Sequence, residues 1–319
     1  MKKSKLTKII LGSAIIILAF ILFWHLFWSV REKQAIRFLQ KAENFSGARK
    51  ALNLKKALIL DPENFRAHAV LADFYLEKGK LDSAQKEYQK AYQLFPDDEF
   101  AKKIVSIFVA GGKTEEARTF LSKTQRLPAW LLALDFYKGN TNSKDLVSAA
   151  KEASFFLTSV LLLAAKGETE VALELLADLS DQDFFLEEIK RSIENIDSKD
   201  WLTRNLMLAK TALDFNPLLS RILVKQILDE DVLVRDAWLL EAELNFSDKF
   251  FDLALEDIDN ALAIDPISRE ARLGRIKVDL AKGDFKSANQ DLEQAKALDF
   301  DKETIRSLGE KISKLEEEE

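Results

Sequence analysis

Residues able to do chemistry are few in this chain. His25 and His68 are the only histidines and cysteine is absent, which removes disulfides, thiolate ligands and thiol nucleophiles and leaves no ligand set for zinc or haem. The stretch Gly111-Gly112-Lys113-Thr114 matches the end of a phosphate-binding loop. That motif needs a glycine five residues before Gly112, however, and Ile107 stands there with no strand ahead of it. A turn between two helices accounts for these residues better. Acidic neighbours such as Asp257 and Asp259, or Glu187 and Glu188, point to different sides of a helix and read as solvated faces. No G-x-S-x-G, H-E-x-x-H, G-x-G-x-x-G or calcium-loop pattern occurs. The expectation is a chain with no catalytic residue, no metal, no cofactor and no small-molecule substrate. Asn44 and Asn245 each open a glycosylation sequon, which matters only in a eukaryotic secretory pathway.

The elements that carry these residues are helical. With 47% hydrophobic residues and only 10 Gly and 5 Pro in 319 positions, the chain can bury a large core. Abundant Ala, Leu, Lys and Glu, with few β-branched runs beyond the N-terminus, favour an all-α fold. Lys2, Lys3, Lys5 and Lys8 precede a long apolar stretch, and removing their charge from a net −6 leaves −10 on the rest. Such an acidic body repels phosphate backbones, so nucleic acid is not an expected partner.

Ile9 to Trp28 are 20 consecutive residues without a formal charge, and a helix of that length spans about 30 Å, the thickness of a hydrocarbon core. The bulky end Phe23-Trp24-His25-Leu26-Phe27-Trp28 differs from the small residues of a signal-peptidase site. Residues 9–29 are therefore expected to form a retained single-pass transmembrane helix, with Trp24 and Trp28 at the membrane interface. The four lysines place residues 1–8 in the cytoplasm and the body outside it, in a bacterial cell envelope.

Beyond this segment the sequence repeats. "KKALILDPEN" and "QKAYQLFPDD" set Ala57 and Pro62 against Ala91 and Pro96, 34 residues apart. "FFDLALEDIDNALAIDP" and "DFKSANQDLEQAKALDF" align at the same period, pairing Phe251 with Phe285, Ala254 with Ala288, Ile258 with Leu292 and Ala261 with Ala295. A further step back meets Pro217, Ser220, Val224 and Ile227.

The pattern resembles the tetratricopeptide repeat (TPR), a 34-residue helix–turn–helix with the signature W-x2-L-G-x2-Y, A-x3-F and P. His68, Leu71, Ala72, Tyr75, Gly79, Ala84, Tyr88, Ala91 and Pro96 fit one copy, and Trp238, Ala242, Ala254, Ile258, Ala261 and Pro266 another. Small residues such as Ala72, Ala84 and Ala91 let crossing helices approach to about 8–10 Å. Weaker copies cover 98–128 and 153–180. The expected organisation is one TPR array over 30–128, an irregular helical joint over 129–200 with extra helices near 144–152 and 183–196, and a second array over 201–300. Residues 301–319 form a capping helix, with Ile305, Leu308, Ile312 and Leu315 on one face, and an acidic tail.

The resemblance implies a superhelix whose first helices line a groove for a protein or peptide. The residues it places there are Arg66, Asp73, Leu76 and Glu77, then Asp236, Leu239, Glu243 and Phe246, then Glu270, Leu273, Lys277 and Leu280. The clamp with which some TPR receptors grip an acidic C-terminus is missing, since Lys102 is followed one turn later by Ser106 rather than Asn. The partner is thus expected to be basic or apolar. The functional expectation is a non-catalytic membrane-anchored scaffold in an envelope assembly, or else an accessory subunit regulating an envelope biogenesis, secretion or quality-control enzyme.

Overall fold

A computed structural model describes residues 2–45, 47–177, 184–195, 200–298 and 300–317, with the backbone alone described for 2–16, 184 and 185. Only helices occur among the described residues, and they number eighteen. Spatial contacts divide the chain into two units, Met1–Tyr75 with Asp82–Phe100, and Leu76–Leu81 with Ala101–Glu319.

The first unit draws on α1 (Lys2–Glu43), α2 (Gly47–Leu60), α3 (Phe65–Glu77) and α4 (Leu81–Leu94). Ala35, Ala42, Ala57 and Ala67 are fully buried where these helices meet, because a methyl side chain lets two helix axes come close. Leu54, Leu71 and Phe74 fill the space beside them. His68 is structural: Nδ1 lies 2.5 Å from Glu87 Oε2 and Nε2 lies 3.0 Å from the Pro62 carbonyl oxygen. Burial pushes the Glu87 carboxyl up, but hydrogen bonds from His68 and Lys90 outweigh burial and hold it below the usual range.

The N-terminal helix was expected to cross a membrane, and that expectation is not supported. Among the described residues, no helix is long and apolar enough to cross a membrane. α1 is one continuous helix that carries Arg31, Glu32 and Lys33 and runs on to bury Ala35 and Ala42 in the first unit. Residues 9–16 of the expected span lie outside those with described side chains. The single-pass localisation with an extracytoplasmic body is therefore corrected. Trp24 and Trp28 are exposed rings of α1, 6.0 Å apart edge to face, and the Arg31 guanidinium lies 4.9 Å from the Trp28 ring centre.

The second unit continues with α5 (Asp98–Ala110), α6 (Thr114–Thr124), α7 (Pro128–Tyr137), α8 (Ser143–Ala149), α9 (Phe156–Ala165), α10 (Thr169–Ala177) and α11 (Phe184–Glu194). Gly112, in the turn after α5, takes φ +72°, a backbone conformation open to glycine. The helices expected near 144–152 and 183–196 are present as α8 and α11. α8 starts where the Asn142 side chain accepts from the Asp145 backbone N–H and Asp145 reaches back to Asn142, a reciprocal cap. α9 is buried on every side from Thr158 to Ala165, and Leu161, Leu162 and Leu163 centre the largest apolar cluster.

The remaining helices are α12 (Trp201–Ala212), α13 (Pro217–Glu230), α14 (Arg235–Ser247), α15 (Phe251–Ile264), α16 (Arg269–Lys282), α17 (Phe285–Ala297) and α18 (Lys302–Glu317). Asn216 caps α13 and Ser268 caps α16, each side chain accepting a backbone N–H three residues on. α18 packs on the preceding hairpin, with Ile312 buried among Ile276, Leu280, Ala288 and Leu292. The turn between α16 and α17 uses Gly283 at φ +76°, whereas the equivalent turn between α14 and α15 places Lys249 at φ +65°. A side chain disfavours that conformation by about 1–2 kcal/mol. Lys249 also lies 3.9 Å from Glu77, a part-exposed pair worth under about 1 kcal/mol. Lys249→Gly is therefore expected to raise the unfolding free energy by about 1 kcal/mol, measured by urea denaturation.

Candidate functional site

Two successive hairpins, α14–α15 and α16–α17, build a candidate site. On α14, Ala237, Leu240 and Leu244 are buried, which turns Leu239, Glu243 and Phe246 toward α16. On α16, Ala271 and Val278 join the cluster of Ala242, Phe251, Ala254 and Ile258, which leaves Glu270, Gly274 and Lys277 beside the α14 side chains. The result is a cavity of about 180 Å³ lined by Leu239, Ala242, Glu243, Phe246, Ile258, Glu270, Gly274, Lys277 and Val278. Phe246 is half-buried; its ring centre is 5.7 Å from that of Phe251, and Lys277 Nζ sits 4.5 Å from it as a cation over a π face. Glu243 and Glu270 are exposed at the rim.

Five of the twelve groove residues expected from the sequence thus meet in one cavity: Leu239, Glu243, Phe246, Glu270 and Lys277. The others lie elsewhere. Asp236 accepts from Arg235, which also reaches Asp265 at 2.8 Å. Leu273 is half-buried, and Leu280 is buried in the cluster beneath α18. Arg66 is exposed, and Asp73 accepts the Tyr88 hydroxyl at 2.6 Å. Leu76 is fully buried, while Glu77 pairs with Lys249.

A buried polar network on the other side of α14 was not anticipated. The Arg221 guanidinium, only 3% exposed, donates from Nη1 to Asn245 Oδ1 at 2.8 Å and to Glu241, and from Nη2 to Asp248 Oδ2 at 3.1 Å. Asn245 passes the chain on, its Nδ2 donating to Asp257 Oδ2 at 2.6 Å, and Lys103 of α5 reaches Asp248 Oδ1 at 3.1 Å. Burial opposes the charge on Arg221, but Glu241, Asp248 and Asp257 raise its pKa above the ordinary value. Burial lifts Glu241 as well, and burial with the neighbouring Glu241 pushes Asp257 up to about 7. Asn245 is 3% exposed, so its sequon is sealed inside this network.

A second cluster of charged side chains occupies corresponding places one repeat later, with Arg275 paired to Asp259 and 3.8 Å from Asp291. Arg275, Asp279 and Asp291 stand 34 residues beyond Glu241, Asn245 and Asp257. Burial, then Asp291, push Asp279 up to about 6. Chemically these clusters are ion-pair and hydrogen-bond braces between helices, with no nucleophile among them. Among the described residues no group of three His, Cys, Asp or Glu side chains is placed to hold a metal ion.

Residues 39–104 match the family model described as tetratricopeptide repeat. That stretch takes in α2, α3 and α4 and is similar to a tetratricopeptide repeat. No curated protein sequence matches the chain. Among solved structures it is similar to the P58(IPK) TPR domain, at 17% identity over 91% of this chain and 89% of that one, with a TM-score of 0.33. It is also similar to a tetratricopeptide repeat protein from Parabacteroides merdae, at 18% identity over 86% and 97% with a TM-score of 0.32. The yeast Sti1 TPR2AB-domain:pHSP90 complex is a third, at 15% identity over 79% and 96% with a TM-score of 0.29. At such TM-scores these likenesses carry no weight for function. The TPR match itself points to protein–protein interaction as the general role.

Proposed function

We propose that the chain is a non-catalytic TPR scaffold that holds a partner protein or peptide on the face between α14 and α16. The observation that carries this reading is the cavity between two successive first helices, where Leu239 and Phe246 offer apolar surface and Glu243 and Glu270 ring it with negative charge. A concave apolar site with a few charged groups at its rim is the usual form of a ligand pocket, and an aromatic side chain at its centre is the usual form of an energetic anchor. Substituting both Leu239 and Phe246 by Asp places two charges in the cavity. Each side chain is half-buried at the edge of its cluster, so the helices retain their core contacts. Crosslinking and pull-down with the full chain should recover a partner from the wild type and lose it with the double variant, at unchanged helical content by circular dichroism. An equal yield from both would refute the site.

A further inference from the structure

Gly274 sits in the middle of α16, six residues into a fourteen-residue helix, where glycine is less stabilising than alanine. No turn or positive φ requires it there, since its φ is not among the positive ones. Nor does crowding: a Cβ at this position would meet only Ile258 Cδ1 at 3.6 Å and Cγ1 at 3.9 Å, ordinary van der Waals contacts. What the missing side chain does is leave open the wall of the cavity that Leu239, Phe246, Ile258 and Val278 line. A dry cavity of roughly 150 Å³ accepts a group the size of benzene, and this one has about 180 Å³. It fits one aliphatic or aromatic side chain and little more.

The rim then says what flanks that side chain. Glu243 and Glu270 are exposed carboxylates, whereas the one lining cation, Lys277, lies over the Phe246 ring. The lining therefore carries a surplus negative charge, within a protein whose net charge is already −6. We infer that the Gly274-opened cavity is an anchor pocket for a single Leu- or Phe-sized side chain on a basic peptide segment, with Glu243 and Glu270 pairing its flanking Lys or Arg residues. This rests on the proposed groove and adds the class of peptide it takes and the residue that sets the size of its pocket.

The test uses full-length protein with labelled Ile, Leu and Val methyl groups, titrated with the acetylated amide of Lys-Lys-Leu-Lys-Lys and observed by NMR. Peptides with Ala in place of Leu, and with Glu in place of every Lys, are the controls. The leucine peptide should shift the Leu239, Ile258 and Val278 methyls, and each control should bind at least about tenfold more weakly, in line with a lost buried side chain or reversed charge. Gly274→Ala should raise Tm by about 2 °C and yet weaken the leucine peptide at least about fivefold, because the new methyl occupies pocket volume. A purely structural glycine would give the first change without the second. Equal affinity for the leucine and alanine peptides, tighter binding of the glutamate peptide, undiminished binding by Gly274→Ala, or no shift at these methyls would each overturn the inference. The broader groove is judged separately, by the pull-down with the Asp double variant.

Discussion

Arg221→Met should lower the unfolding free energy by about 3–5 kcal/mol, the range for removing one partner of a buried ion pair. Methionine can fill most of the space of the arginine stem, so lost packing is a minor part of the effect. The larger part comes from what is left behind. Glu241, Asp248 and Asn245 each accept a hydrogen bond from this guanidinium, and Asp257 is linked to it through Asn245. Without it, the buried carboxylates face each other with Lys103 as the remaining cation bonded to Asp248. Urea denaturation followed by circular dichroism measures the change, and a loss under about 1 kcal/mol would mean that the network is solvated rather than sealed.

The second large effect is a pH dependence. Asp257 has a carboxyl pushed up to about 7 from an ordinary value of 3.8, first by burial and then by Glu241. The groups that face it are Glu241 and Asn245 from α14, Arg221 from α13 and Glu256 on its own helix. A folded-state pKa above the unfolded one means that the native protein holds the proton more tightly, so this group's contribution is full below about pH 4 and is lost as pH rises to about 7. Asp257→Asn keeps the acceptor for Asn245 and removes the titration. From pH 5 to pH 8 the stability of the variant relative to wild type should therefore grow by roughly 2.5 kcal/mol, the linkage integral for those two pKa values. Thermal or urea unfolding of both proteins at the two pH values gives the difference directly, and a constant difference would show that Asp257 is ionised throughout.

Much of the helical framework was legible because its signal is steric. Alanines at 34-residue spacing, such as Ala254 with Ala288 and Ala261 with Ala295, mark helix crossings, and all four are fully buried. The capping helix was legible from a single apolar stripe, of which Ile312 is the buried centre. The middle of the chain was harder for a physical reason. α9 is buried all round, so its residues show no amphipathic period to count. The apolar N-terminal stretch misled because length of an uncharged run was read as membrane thickness, whereas Ala35 and Ala42 further along the same helix are buried in protein.

The polar network escaped because single acidic residues on a helix normally read as solvent-facing. A signal was nevertheless present. Glu241 and Asn245 occupy, five periods of 34 on, the places that Leu71 and Tyr75 fill in the first copy. A polar residue at a core position of a repeat must find a buried partner, and Arg221 and Asp257 are those partners. For the groove, the first helices of the α14 and α16 repeats yielded five residues that meet. Those on the α3 repeat were less informative, since Leu76 is buried and Asp73 is bonded to Tyr88.

The most direct measurement is methyl NMR of the full-length chain with the partner recovered in the pull-down. Binding on the proposed face should move the resonances of Leu239, Ile258 and Val278 first and most, and leave those of Leu161, Leu162 and Leu163 in the α9 core unchanged. A partner that binds with the cavity methyls unmoved would contradict the scaffold reading of this face.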